Sequence, residues 1–243
     1  MRDSGYYSYI NTNEAYLDQA DCATYKGIAI KSIILLAVTI AVSVGTMFYL
    51  PSILENNPSG FYTLLALSVI AGFVCAFVGR ISDRAAMVCS FIYSLSEGLF
   101  LGVITAIVNS FFPSAGTLAV TATLVAFTIM LVLYSLGFFR KIGLLYIVLL
   151  GLLFATIGLV GFDLIYGLIH GESVTPIYFL IQGAFLIYGI ITLAFNFNEA
   201  EAVVKLGTRK NAEWSVALGI EISLIYIYIY ILRIFLLFSK NNS

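Results

Sequence analysis

An all-α polytopic membrane protein with seven transmembrane helices is the fold class this sequence predicts, and three observations predict it. The chain of 243 residues is 61% hydrophobic and only 10% charged, with a mean hydropathy of +1.02, which excludes an ordinary soluble domain. Its apolar residues fall in long runs, and about 20 such residues cross a hydrocarbon core as a helix. The connections between those runs alternate between ones that carry basic residues and ones that carry none, as the positive-inside rule demands of a multi-pass chain.

The runs follow one another with clear punctuation. The first covers residues 28–50, after Lys26 and before Pro51 and Pro58. The second covers 61–79 and stops at Arg80 and Arg84; the third covers 85–108 and stops before Pro113. The fourth covers 117–136 and ends at Arg140 and Lys141, which introduce the fifth, 142–166. Between the fifth and the sixth, 176–195, lies a break from His170 to Pro176. A charged stretch from Glu199 to Glu213 precedes the seventh, 214–238. The alternation Ile225-Tyr226-Ile227-Tyr228-Ile229-Tyr230-Ile231 has the period of a strand. Inside a long apolar run it predicts helix, because an isolated strand cannot satisfy its backbone in lipid.

Direction follows from the charges. Arg2 and Lys26, Arg80 and Arg84, Arg140 and Lys141, and Lys205 with Arg209 and Lys210 all fall on one side, while loops 51–60, 109–116 and 167–175 hold no Lys or Arg. This predicts a cytoplasmic N-terminus and an external C-terminus, and an error of one span would scramble the pattern. Residues 1–25 are polar and tyrosine-rich, with Asp18 and Asp21, and lack the features of a signal peptide. They read as a flexible cytoplasmic tail ahead of a membrane domain, 26–243. Cys22, Cys75 and Cys89 are scattered and His170 is the single histidine, so neither a disulfide framework nor a metal or cofactor site is expected. The expected partners are the bilayer itself and calcium or other cations; nucleic-acid binding has no support.

Ionisable residues inside the spans are the candidates for function, because a mid-membrane charge costs at least ~2.5 kcal/mol. Glu97, in the middle of the third span, and Glu221, about 12 Å into the seventh, are the deep ones. Each reads either as part of an ion pathway or as a hydrogen-bonded acid holding helices in register; Ser94 and Ser96 are available to Glu97 for that. Asp163, near the outer end of the fifth span, is either a wetted loop-edge acid or a pore-mouth cation site. Lys31 and Arg233 lie near span ends, where snorkelling anchors are expected. Glu221 shares a helix row with Ile225, Tyr228 and Leu232, which suggests that Glu221, Glu97 and Tyr228 face one interior cavity. Gly98 and Gly102 read as a seam for close helix packing.

The segment Tyr93…Ser96-Glu97-Gly98-Leu99-Phe100-Leu101-Gly102 resembles the Glu-Gly-Leu-Phe-Leu-Gly signature of the Bax inhibitor-1 family, and most of all its bacterial branch. Two further stretches carry the resemblance: Asn196-Phe197-Asn198-Glu199-Ala200-Glu201, then Ala212-Glu213-Trp214, and Ala217-Leu218-Gly219 through Ile231-Leu232-Arg233. The resemblance implies a seven-helix fold with the last helix surrounded by the other six, a calcium or cation leak, and a bacterial plasma membrane. It also implies a latch in which two acids on the sixth and seventh helices share a proton and close the pore. This chain departs from that pattern. It offers Asn196 and Asn198 at the sixth-helix position and Tyr230 at the seventh-helix position, and neither amide nor phenol titrates near neutrality. The latch is expected to be missing, and conductance to depend weakly on pH between about 6 and 8.

The leading expectation is therefore a calcium or cation leak channel without the usual latch. The alternative is a non-transporting regulator that binds another membrane protein, such as a protease or a stress-response partner. An enzyme is not expected: Gly161-Phe162-Asp163 lacks the Gly-x-Gly-Asp setting of an intramembrane aspartyl protease. The seventh span also has no lysine to form a retinal Schiff base.

Overall fold

The computed structural model describes residues 22–56, 58–111, 113–135, 142–170 and 175–241. These form seven helices: α1 (Tyr25–Asn56), α2 (Pro58–Ile81), α3 (Asp83–Phe111), α4 (Ala115–Ser135), α5 (Ile142–His170), α6 (Thr175–Lys205) and α7 (Ala212–Asn241). Five of them, α1, α2, α3, α6 and α7, hold a described apolar stretch long enough to cross a membrane. The described apolar parts of α4 and α5 are shorter, Gly116–Met130 and Leu150–Phe162. The chain is an all-helical, multi-pass membrane protein.

Several boundaries differ from those the sequence suggests. Helix α1 runs through Pro51 to Asn56, where a proline inside a helix removes one backbone bond and crowds the preceding turn. His170 closes α5 rather than lying in a loop. The largest difference is in α6, which continues ten residues past Phe195. Phe197 and Ala200 are buried there, so an apolar stripe carries the helix on although its other face has turned polar. Gly207, at φ 61°, ends it. The Thr208 N–H reaches the Val203 carbonyl and the Gly207 N–H that of Val204, the paired bonds of a Schellman cap.

Helix α7 is the core. It packs on α1, α2, α3, α4 and α6, whereas α5 packs on α6; so five helices, not six, surround it among the described residues. The row foreseen on α7 is buried along its length: Glu221, Ile225, Tyr228 and Leu232 all face inward. Helices α1 and α3 approach closely along the small residues of α3. A Cβ on Gly98 would lie 2.9 Å from the Thr39 carbonyl oxygen, and one on Gly102 would lie 2.6 Å from that of Ser43. Helix α2 turns Leu67, Ile70, Phe73 and Phe77 outward, as a lipid-facing helix does.

Cys22 to Tyr25, expected to belong to the tail, are fixed. Cys22 bridges to Arg209, and the Ala23 N–H donates to the Thr208 carbonyl at 2.8 Å. Below, the proximal face is the one carrying the start of α1 and the α2–α3 and α6–α7 connections; the distal face is opposite.

Candidate functional site

Three polar clusters lie along the first half of α7, and each ties it to different helices. The most proximal is built on Glu213, in the first turn, where a negative charge also suits the helix dipole. Glu213 is fully buried. Its Oε1 accepts the Thr24 N–H at 2.8 Å and the Thr24 hydroxyl at 3.2 Å. Its Oε2 is 2.7 Å from Lys31 Nζ. Lys31 also donates to the Lys210 carbonyl at 3.1 Å and stands 4.9 Å from the centre of the Trp214 ring. Lys31 is thus a half-buried ion-pair partner of a buried carboxylate rather than the snorkelling anchor expected of it. Gly27 abuts the Glu213 carboxylate so closely that a Cβ would collide with it.

The second cluster is built on Arg80, in the last turn of α2. Its guanidinium pairs with Glu199 of α6 and donates to the Ser215 carbonyl of α7 at 2.9 Å. Asn196 stands beside it and donates to the Gly219 carbonyl at 2.8 Å and to Ser223 Oγ at 2.7 Å. Gly219 is required here, since a Cβ would lie 2.5 Å from Asn196 Oδ1. Asn196 and Tyr230 are not brought together. The helices are antiparallel: Asn196 lies nine residues, about 14 Å, before the end of α6, whereas Tyr230 lies about 27 Å beyond the start of α7. Ser223, about 16 Å along α7, is the side chain that meets Asn196. Asn198 turns back to the Ala194 carbonyl of its own helix at 3.0 Å. Tyr230 instead stacks on Phe185 at 5.0 Å and donates to the Tyr226 hydroxyl at 3.3 Å.

The third cluster is the deepest. Glu221 is fully buried, about 14 Å into α7. Its Oε1 accepts the Thr39 hydroxyl of α1 at 2.6 Å and the Ser94 hydroxyl of α3 at 2.7 Å. Its Oε2 has no hydrogen-bond partner. Glu97, one turn beyond Ser94 on α3, lies within electrostatic reach of Glu221, and Tyr93 is close to both. Glu97 is half-buried and has no hydrogen-bond partner among the described residues. The two deep acids are therefore neighbours, and Ser94, one of the two serines that seemed available to Glu97, serves Glu221.

A cavity of about 450 Å³ begins on the other side of Thr39. It lies between α1 and α4 over a floor of α3 and α7, and it runs distally as far as Met47, Asn109 and Gly116. Tyr228 lines it and shares a 2.8 Å hydrogen bond with Thr105. Neither Glu97 nor Glu221 lines it, so the two acids and Tyr228 do not share this cavity. The side chain of Asp163 lies outside the described residues. Arg233 is exposed and stands 5.5 Å over the Tyr230 ring.

A family model described as Bax inhibitor 1 like matches residues 6–240. The chain belongs to that family. No curated protein and no solved structure matches it. Within the Bax inhibitor 1 like match fall all three clusters, including two residues that the sequence did not single out. Arg80 counted only as a sign of loop charge, and Glu213 only as part of a Glu-Trp motif. An acid in the first turn of a helix and a base in the last turn of another are the signals that mark them.

Proposed function

We propose that this Bax inhibitor-1-like protein is a leak pathway for cations, calcium among them, and that Glu221 is the carboxylate a permeating ion meets at mid-membrane. One observation carries the reading: Oε2 of a fully buried glutamate lacks a partner, beside a second acid, in the central helix. A buried carboxylate is expensive unless its lone pairs are used. Hard cations take oxygen ligands, and Thr39, Ser94 and the two acids supply them at one level. Neither Asn196 nor Ser223, which meet across α6 and α7, titrates near neutrality, which makes Glu97 and Glu221 the groups to which any proton-linked switching would be traced. The basic residues of the proximal connections support a cytoplasmic proximal face, and the earlier resemblance supports a bacterial plasma membrane.

The regulator reading has less behind it. The Gly98–Gly102 seam it would use for a partner is filled by α1 of the same chain.

Purified protein in liposomes loaded with a calcium indicator tests the proposal. Influx above that of empty liposomes is expected, falling at least about tenfold in Glu221→Gln, a change that keeps the shape of the side chain and its contacts with Thr39 and Ser94. Monodisperse elution and an unchanged unfolding midpoint certify the fold. No flux from folded protein, or equal flux in the variant, would overturn the assignment of Glu221.

A further inference from the structure

The cavity beyond Thr39 calls for a different ligand from the acids behind it. Its rim is apolar on both sides, with Ile40 and Val44 exposed on α1 and Val120 and Leu124 exposed on α4. The backbones of α1 and α4 stand apart among the described residues, so the opening between them faces sideways, at the depth of the spans. The hydroxyls of its α4 wall are turned back on their own helix: Thr117 donates to the Ser114 carbonyl, Thr121 to Leu118 and Thr123 to Ala119. On the floor, Thr105 and Tyr228 satisfy each other. At the distal end Asn109 accepts the Gly116 N–H at 3.1 Å and directs its amide at Met47 sulfur, 3.7 Å away. It thereby straps α1, α3 and α4 together and closes that end.

These partners leave the Ser43 hydroxyl as the one unpartnered polar side chain among the described lining residues, too little for an ion or a water, which needs two or more polar contacts to settle. An empty cleft of this size would forfeit the dispersion contacts of its whole lining. The medium on the open side supplies hydrocarbon at high concentration, and hydrocarbon fits a lining of this kind.

We infer that the groove between α1 and α4 is a binding site for one acyl chain of a membrane lipid, which enters sideways from the bilayer and lies against Tyr228 and Thr39. The inference does not depend on whether the chain conducts. In a bilayer there is no hydrophobic gain in moving a lipid tail from one apolar place to another, so shape and dispersion select the occupant. The chain, rather than the headgroup, makes the contact.

Native mass spectrometry of the full-length protein, washed in mild detergent, provides the test. Wild type should retain one phospholipid per chain. Val44→Trp and Val120→Trp, which fill the opening from either wall, should lower that occupancy at least about tenfold. Val69→Trp, on the outward face of α2, should leave it unchanged. No retained lipid in wild type, or equal retention in the groove variants, overturns the site. As a measurement that needs no folded variant, wild type is photolabelled with phospholipid bearing a diazirine at the end of the acyl chain. After the same wash, adducts should concentrate on 40–44 and 120–124 over the α2 segment 69–74. Even labelling of the three segments overturns the site, and so does equal labelling of the groove by a headgroup diazirine.

Discussion

Over its first three turns α7 meets its neighbours through charges, amides and hydroxyls, whereas farther along it meets them through rings and aliphatic side chains. Glu213 with Lys31, Ser215 with Arg80, Ser223 with Asn196, and Glu221 with Thr39 and Ser94 make up the first set. Tyr226 and Tyr230 against Phe185 and Tyr188, with Ile225 and Tyr228 over the groove, make up the second. The polar half is directional. Each group has specific partners in set places, so the register of α7 against α1, α2, α3 and α6 is fixed there. The apolar half is tolerant, and it is where α4 stands away from α1 and leaves a groove. The polar half thus fixes how the helices meet, and the apolar half leaves room between them.

The largest effect is expected from breaking the most buried pair. Lys31→Met should cost about 3–5 kcal/mol, because it leaves the Glu213 carboxylate buried without its counter-charge. The measurement is the thermal unfolding midpoint in detergent. The double variant Lys31→Met with Glu213→Gln should recover part of the loss, since the orphaned charge is then gone. An unchanged midpoint in Lys31→Met would mean that the proximal half is no more specified than the distal half, and the contrast would fail.

How much of this was legible beforehand depended on the kind of physics involved. The helix count and the buried row from Glu221 to Leu232 follow from periodicity and hydropathy, which are local. The partners of Glu221 do not, because Thr39 and Ser94 are 182 and 127 residues away in the chain. A lone threonine in an apolar run also looks like any other. The extension of α6 was missed because the charge at Glu199 reads as the edge of the membrane, while Arg80 of another helix is what receives it. The Asn196 partner was misplaced for a related reason. Motif order along the chain gave Tyr230, but the level at which two antiparallel helices meet is set by their ends.

A smaller effect should come from the α1–α3 seam, which borders both halves. Gly102→Val puts side-chain atoms where the Ser43 carbonyl oxygen and the Thr46 side chain already stand, and overpacking of this kind costs about 1–3 kcal/mol. Gly45→Val is the sharpening control, since a Cβ there would meet nothing within 4 Å. Equal midpoints for the two variants would show that α1 moves aside freely and that the seam does not hold the deep acids in place.

The smallest effect is expected in the distal half. Tyr228→Phe removes the hydrogen bond to Thr105 and nothing else of the packing. Loss of one such bond amounts to about 1 kcal/mol, and here less, because the Thr105 hydroxyl can turn to a backbone carbonyl of its own helix as other threonines of this chain do. The midpoint should therefore move little, and bound lipid should be retained, because the ring still forms the floor of the groove. A loss as large as that of Lys31→Met would mean that Tyr228 and Thr105 form a fourth directional cluster, and the distal half of α7 would then be fixed in register as firmly as the proximal one.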